Sequence, residues 1–265
     1  MQDQAIGFFD SGWGGLSIFN VARTYLPYED MIYVADCGHA PYGDQTHDFL
    51  VSRALSIANF LFSEQKVKAL VVACNTATVE SIRTLRETFP DRIILGVEPA
   101  IKPAAEFSLQ HRIGMIATTR TVSSTRYQEL LKEHAGETKV FSQGCPGLME
   151  CVENGELQSQ TTIELLHSYL DPMIEEKIDA LVLGCTHYPF LAPAIRGIVG
   201  ESVTLFEPGP AVAKHLKNQL IHRNALQSQA RQGSNFFYVS GLNDVRKKVA
   251  QSLSPYATLF SELNC

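Results

Sequence analysis

Residues 66–74 read KVKALVVAC and residues 177–185 read KIDALVLGC. Each is a short apolar run that ends on a cysteine and passes into small polar residues, CNTAT (74–78) after the first and CTHYP (185–189) after the second. A brief apolar run of this kind, bounded by turn formers, reads as a buried parallel strand with its cysteine at the C-terminal end.

Two further pairs keep nearly the same offset. IGFFD (6–10) matches IGMIA (113–117), and VEPA (97–100) matches FEPG (206–209). With the cysteine strands, the offsets are 107, 111 and 109 residues, and the pairs occur in the same order. That is the mark of a duplication covering about 5–100 and 112–208. Amphipathic stretches of helical period lie between the strands, such as HDFLVSRALSIANFLFSEQ (47–65) and TTIELLHSYLDPMIEEK (161–177), where Pro172 is expected to kink or break the helix. Strands alternating with helices imply βαβ units. The tail has no counterpart in the repeat. It holds one helix (AVAKHLKNQLIH, 211–222), one strand (NFFYVSG, 235–241) and a last amphipathic helix, and should return to the first half. The expected fold is α/β, with two similar parallel-sheet domains related by pseudo-symmetry. Residues 1–97 plus 208–265 form one and residues 98–207 the other. Ligands of open α/β sheets bind beyond the carboxyl ends of the strands, so the expected active site is the cleft between the domains, with Cys74 and Cys185 facing across it.

Composition narrows the function. The chain has 265 residues, 45% apolar and 19% charged, as in an ordinary globular protein. A net charge of −6 without a dense Lys/Arg run argues against nucleic acid. The N-terminus lacks a basic segment followed by an apolar one, and no apolar run reaches the roughly 18–20 residues of a membrane span, so the expectation is a cytoplasmic protein with no membrane association. Cysteines at 37, 74, 145, 151, 185 and 265 contain no CxxC, which suits reduced thiols better than disulfides or a zinc site. Neither a dinucleotide fingerprint nor a Schiff-base lysine context is visible, so no cofactor and no metal are expected.

Two facing thiols suggest a specific chemistry. A stereocentre inverts when a base takes its proton from one face and an acid returns one to the other. A thiol, with an ordinary pKa near 8.5, can do either. A strand end near a helix N-terminus would favour the thiolate. One isolated cysteine is more often a small core residue. Two in repeat-equivalent positions, each followed by Asn/Thr or Thr/His, point the other way.

DSGWGG (10–15), PYG (41–43), CNTA (74–77), TTRTVSSTRY (118–127) and GCTHYP (184–189) together resemble the signature segments of glutamate racemases, within the aspartate/glutamate racemase superfamily. The resemblance spans about residues 5 to 240. It implies an isomerase that interconverts L- and D-glutamate for peptidoglycan, with glutamate as its small-molecule partner. Cys74 and Cys185 match the two catalytic thiols, Cys74 acting on D-glutamate and Cys185 on L-glutamate. Asp10 matches the carboxylate assisting the first, and His187 the imidazole assisting the second. Either Glu153 or Glu150 corresponds to a further assisting carboxylate, the local match favouring Glu153. Asp10, Ser11, Pro41, Tyr42, Gly43, Cys74, Asn75, Thr76, Thr118, Thr121, Cys185, Thr186 and His187 fall where that family lines its substrate pocket. The family commonly dimerises, so a homodimer is one expected arrangement. Some members carry an N-terminal extension linked to activation by a cell-wall nucleotide precursor. Here the first strand starts by about residue 5, and that regulation is not expected.

Each element taken alone has a plainer reading. Asp10-Ser11-Gly12 is a helix cap with a turn, Pro41-Tyr42-Gly43 a turn, His187 a hydrogen-bonded histidine and Glu153 a solvated helix charge. Gly12, Gly14 and Gly15 could cradle a phosphate, but no Walker lysine follows. Two departures from the family pattern stand out. Cys37 and His39 lie in DCGHAPYG, placing a thiol near the cleft mouth or buried behind the turn. FEPG at 206–209 stands where an Asp-Ser pair is more usual. Rival readings are a racemase of aspartate or a hydantoin, and a binding protein whose cysteines merely pack.

Overall fold

The computed structural model describes residues 2–229 and 231–265. The strands are β1 (Ile6–Asp10), β2 (Met31–Ala35), β3 (Ala69–Val72), β4 (Ile93–Gly96), β5 (Arg112–Ala117), β6 (Lys139–Gly144), β7 (Ala180–Leu183), β8 (Thr204–Phe206), β9 (Asn235–Val239) and β10 (Phe260–Glu262). The helices are α1 (Leu16–Tyr25), α2 (His47–Asn59), α3 (Asn75–Thr88), α4 (Ile101–Phe107), α5 (Thr119–Ser123), α6 (Thr125–His134), α7 (Leu148–Glu153), α8 (Gln160–Glu175), α9 (Ala192–Val199), α10 (Gly209–His222) and α11 (Asp244–Leu253).

The chain divides into two compact units. One takes the residues up to Val97 together with Gly209–Cys265, the other Glu98–Pro208. The first contains a sheet of order β10-β9-β2-β1-β3-β4, the second one of order β6-β5-β7-β8, with parallel pairing throughout. The β1, β3 and β7 strands are buried along their whole length, as apolar strands covered on both faces must be. Each unit has its own apolar core, around Phe9, Leu61, Leu70 and Val72 in the first and around Met115, Tyr127, Ala180 and Val182 in the second.

The duplication is visible in the backbone. Without β9 and β10, the first sheet reads β2-β1-β3-β4, the same connectivity as β6-β5-β7-β8. Ala73 N–H donates to the Phe9 carbonyl at 2.7 Å, and Gly184 N–H to the Ile116 carbonyl at 2.8 Å. Asp36 N–H donates to the Asp10 carbonyl at 2.9 Å, and Cys145 N–H to the Ala117 carbonyl at 2.8 Å. Cys74 and Cys185 therefore each stand one residue beyond an equivalent bond at the C-terminal end of an equivalent strand.

The tail joins the first unit, where β9 pairs with β2 and α10 packs on α1. It also contributes β10, a strand of three residues absent from the sequence expectation. Pro172 does not end its helix: α8 runs through it to Glu175. No helix among the described residues is long and apolar enough to cross a membrane.

Candidate active site

In the first unit, β3 delivers Cys74 to the cap position of α3. The residue is extended (φ −132°, ψ 122°), and its Sγ accepts the Ala77 N–H at 3.4 Å. The thiol thus sits at the positive end of a 14-residue helix, where negative charge is favoured. Its Sγ–H is directed at Ser11 Oγ, 3.7 Å away, and the Ser11 hydroxyl in turn lies 3.5 Å from Asp10 Oδ1. Asp10 is fully buried at the end of β1, and its other oxygen accepts the Gly15 N–H at 2.5 Å. Only glycine permits that approach: a Cβ on residue 15 would stand 2.8 Å from both Asp10 Cβ and Tyr33 Oη. Beside the thiol, Asn75 donates through Nδ2 to the Val97 carbonyl at 3.4 Å, while its buried Oδ1 has no hydrogen-bond partner among the described residues. Thr76 is also buried.

The 41–43 segment forms a tight turn, with a 3₁₀ element over Tyr42–Asp44. The hydroxyl of Tyr42, a residue expected at the substrate, donates to Asp36 Oδ2 at 2.7 Å. Burial, then the neighbouring Asp36 charge, raises the phenol well above its ordinary pKa, so it remains a donor. Asp36 is a hub that sequence reasoning missed. Fully buried at the end of β2, it accepts Arg53 Nε at 3.0 Å and Nη2 at 2.7 Å, and Ser240 Oγ at 2.9 Å. His39 Nδ1 stands 2.9 Å from the same carboxylate. Burial works to raise its pKa, but the Arg53 fork and the Tyr42 hydroxyl outweigh it and hold the carboxyl below its ordinary value. Cys37 is buried behind the turn, its carbonyl accepting Arg246 Nη2 at 2.9 Å.

The second unit surrounds its thiol differently. Cys185 follows Gly184, where a Cβ would lie 2.6 Å from Met115 Cε, so the chain presses closely on β5. The Tyr188 N–H returns to the Cys185 carbonyl at 3.1 Å, opening a 3₁₀ turn (Tyr188–Leu191) rather than an α-helix. Cys185 Sγ is 3.6 Å from His187 Nδ1, and His187 Nε2 is 2.7 Å from Glu153 Oε1 at the end of α7. His187 is buried, which disfavours its charge, yet the contacts with Cys185 and Glu153 raise it well above the ordinary imidazole pKa. Glu150, one turn earlier on α7, acts instead on the phenols of Tyr169 and Tyr188. Thr118 caps α5, accepting the Thr121 N–H at 3.2 Å, and the two hydroxyls are 2.9 Å apart. Thr186 is buried next to the thiol.

Among the described residues, no group of three or more His, Cys, Asp or Glu is placed to hold a metal ion. Each unit pairs one buried strand-end thiol with a partner able to carry its proton onward, a hydroxyl and carboxylate in the first and an imidazole and carboxylate in the second. Such sets can take protons from carbon and return them.

The chain belongs to the Asp/Glu/hydantoin racemase family, whose model matches residues 20–216, and is an enzyme of the isomerase class. Within that family it is similar to glutamate racemases. It is 44% identical over 252 residues to the enzyme of Pseudomonas syringae pv. tomato, covering 95% of this chain and 91% of that one. A glutamate racemase isoform from Bacillus anthracis has a similar fold, with a TM-score of 0.89, 30% identity, and coverage of 100% of this chain and 98% of that one. The Escherichia coli glutamate racemase, solved in complex with L-glutamate and the activator UDP-MurNAc-ala, gives a TM-score of 0.87 at 30% identity, with 98% of each chain covered.

Proposed function

We propose that this enzyme interconverts L- and D-glutamate without a cofactor, using Cys74 and Cys185 as acid and base on opposite faces of the α-carbon. The observation that carries the reading is the pair of repeat-equivalent buried cysteines, each with its own proton partners. The likeness to glutamate racemases over nearly the whole chain supports glutamate as substrate.

From L-glutamate, the Cys185 thiolate takes the α-proton: the C–H bond breaks and an S–H bond forms. The Cys74 thiol then gives its proton to the other face, closing a C–H bond and leaving a thiolate. One turnover thus exchanges the protonation states of the two sulfurs. For a second L-glutamate the proton has to return, and the Ser11–Asp10 and His187–Glu153 contacts supply routes for it. Burial with acceptor Oδ1 unpartnered suits Asn75 to the substrate ammonium. Hydroxyl and backbone donors around Ser11, the 41–43 turn, Thr76, Thr118, Thr121 and Thr186 suit its carboxylates. The likeness to bacterial glutamate racemases supports a cytoplasmic reaction whose D-glutamate is destined for peptidoglycan.

The deciding experiment follows optical rotation and α-deuterium incorporation in D₂O, after exhaustive dialysis against chelator. Glutamate should racemise and gain solvent deuterium, whereas aspartate should not. No exchange into glutamate, or a requirement for added pyridoxal phosphate or divalent metal, would sink the reading.

A further inference from the structure

We propose that Arg53 is a positioning residue: through the buried carboxylate of Asp36 it holds the Tyr42 hydroxyl, and with it the 41–43 turn, in the form that receives substrate. The inference rests on the reading of this turn as part of the glutamate site.

The Asp36 carboxylate is fully buried, and a buried charge persists only when paired and hydrogen-bonded. Arg53 supplies the compensating charge through two parallel contacts, Nε to Oδ2 and Nη2 to Oδ1, the geometry for which a guanidinium fork is suited and an ammonium is not. Its remaining nitrogen, Nη1, donates to the backbone oxygen of Cys265 at 2.6 Å, so all three nitrogens are engaged. Asp36 Oδ2 thereby takes both Arg53 Nε and the Tyr42 hydroxyl. Residue 53 lies on α2, beyond the turn, while residue 36 precedes it. The ion pair spans the 37–46 loop, from the residue just before it to the second turn of α2, and Tyr42 fastens the middle to the same point. A second hydroxyl, from Ser240 beyond β9, ties the tail of the unit to this carboxylate. The second unit has no such device. At the position equivalent to Asp36 it carries Cys145, a thiol that burial pushes up to about 12 and whose Sγ–H is directed at the Gln143 carbonyl, 3.5 Å away.

The test is Arg53→Met in the full chain, read in two ways. Hydrogen exchange of peptides spanning 38–46 should accelerate about tenfold, with β1 and β3 unchanged. The KM for glutamate should rise about tenfold while kcat stays within about threefold, because the thiols are untouched. Adding Asp36→Asn to Arg53→Met should recover part of the KM, since no unpaired charge then remains. Arg53→Lys should fall between wild type and Arg53→Met. Wild-type exchange at 38–46 in Arg53→Met overturns the proposal, as does faster exchange with an unchanged KM, or acceleration spread evenly over the unit. If Arg53→Met does not fold, Tyr42→Phe keeps the ion pair and removes the tie. The same KM rise is then expected, and an unchanged KM refutes the proposal. A wild-type enzyme that does not racemise glutamate defeats the substrate reading, and the exchange data alone then decide whether Arg53 holds the turn.

Discussion

His187 stands between Cys185 and Glu153, with Nδ1 3.6 Å from the sulfur and Nε2 2.7 Å from the carboxylate. An imidazole so held has one nitrogen for the thiol and the other fixed by an acid, which sets both its orientation and its readiness to carry charge. At Cys74 a hydroxyl fills the corresponding place, 3.7 Å from the sulfur, with Asp10 behind it. Thiols in equivalent positions of the two units thus have partners of different basicity.

Replacing either sulfur with oxygen should therefore abolish racemisation without abolishing every proton transfer. Cys74→Ser and Cys185→Ser are each expected to lower racemisation about 10³-fold. With a β-halogenated glutamate, which can eliminate after one deprotonation, Cys74→Ser should process mainly the L enantiomer and Cys185→Ser mainly the D. Chiral chromatography of the remaining substrate measures this. Racemisation at the wild-type rate in both variants would refute the two-thiol mechanism.

Glu153 and Glu150 are separable by substitution. Glu153→Gln should cost about tenfold in activity from L-glutamate, and Glu150→Gln much less, since only the former carboxylate meets His187. The His187 pKa is raised in the folded protein. Its contribution to stability is therefore complete below the unfolded imidazole value of about 6.5 and is lost as pH rises through the higher folded value. The destabilisation caused by Glu153→Gln should accordingly be larger at pH 6 than in alkaline solution, as read from urea midpoints. Equal losses at both extremes would contradict the assignment.

Asp36 has the opposite sign. Its folded pKa is lowered, so its stabilisation is present above the unfolded value of about 3.9 and disappears as pH falls through the folded one. At neutral pH, Asp36→Asn should cost about 3–5 kcal/mol, because Arg53 loses its counter-charge at a largely buried site. That cost should shrink in strong acid. Paired denaturation curves from pH 7 to pH 2 provide the check, and a pH-independent difference would argue that the cluster acts by packing alone.

How far these features could be read from sequence depends on how local their causes are. The cysteine strands declared themselves because burial on both faces forces a continuous apolar run, and duplication displayed the run twice. Asp36 gave no such signal: its partners Arg53 and Ser240 are 17 and 204 residues away, and neither spacing has a period. The local match leaned to Glu153 over Glu150, but the contact that separates them is with His187, 34 residues beyond Glu153, since both glutamates lie on α7. Three-residue β10 is too short to carry a pattern and exists because β9 offers it an edge. The motif marked Tyr42 as a candidate site residue but gave no sign that its hydroxyl is engaged by Asp36.

Gly15 offers a sharper test of the first thiol's surroundings. Gly15→Ala would drive a methyl group to 2.8 Å from Asp10 Cβ and 3.0 Å from Ala73 Cβ, both on short, stiff side chains. A stability loss of about 1–3 kcal/mol is expected, with a fall in kcat beyond it as Asp10 is displaced. Gly197→Ala on α9, where an added methyl meets nothing within 4 Å, should leave stability unchanged or slightly improved. Calorimetry and initial rates on both variants settle it, and a harmless Gly15→Ala would show that Asp10 needs no such close fit.

The return of β9 and β10 to the first sheet has a consequence for how the protein is made. On the ribosome, every strand of the second unit, residues 112–206, is available before the first unit has its outer strands from residues 235–262. The younger half of the chain should therefore finish folding while the older half waits with the edge of β2 unpaired, the interval in which a nascent sheet is most open to wrong partners. Chains halted after residue 222 should resist protease across the second unit and yield within 31–35. Early protection of that strand would show that the first unit closes without its tail.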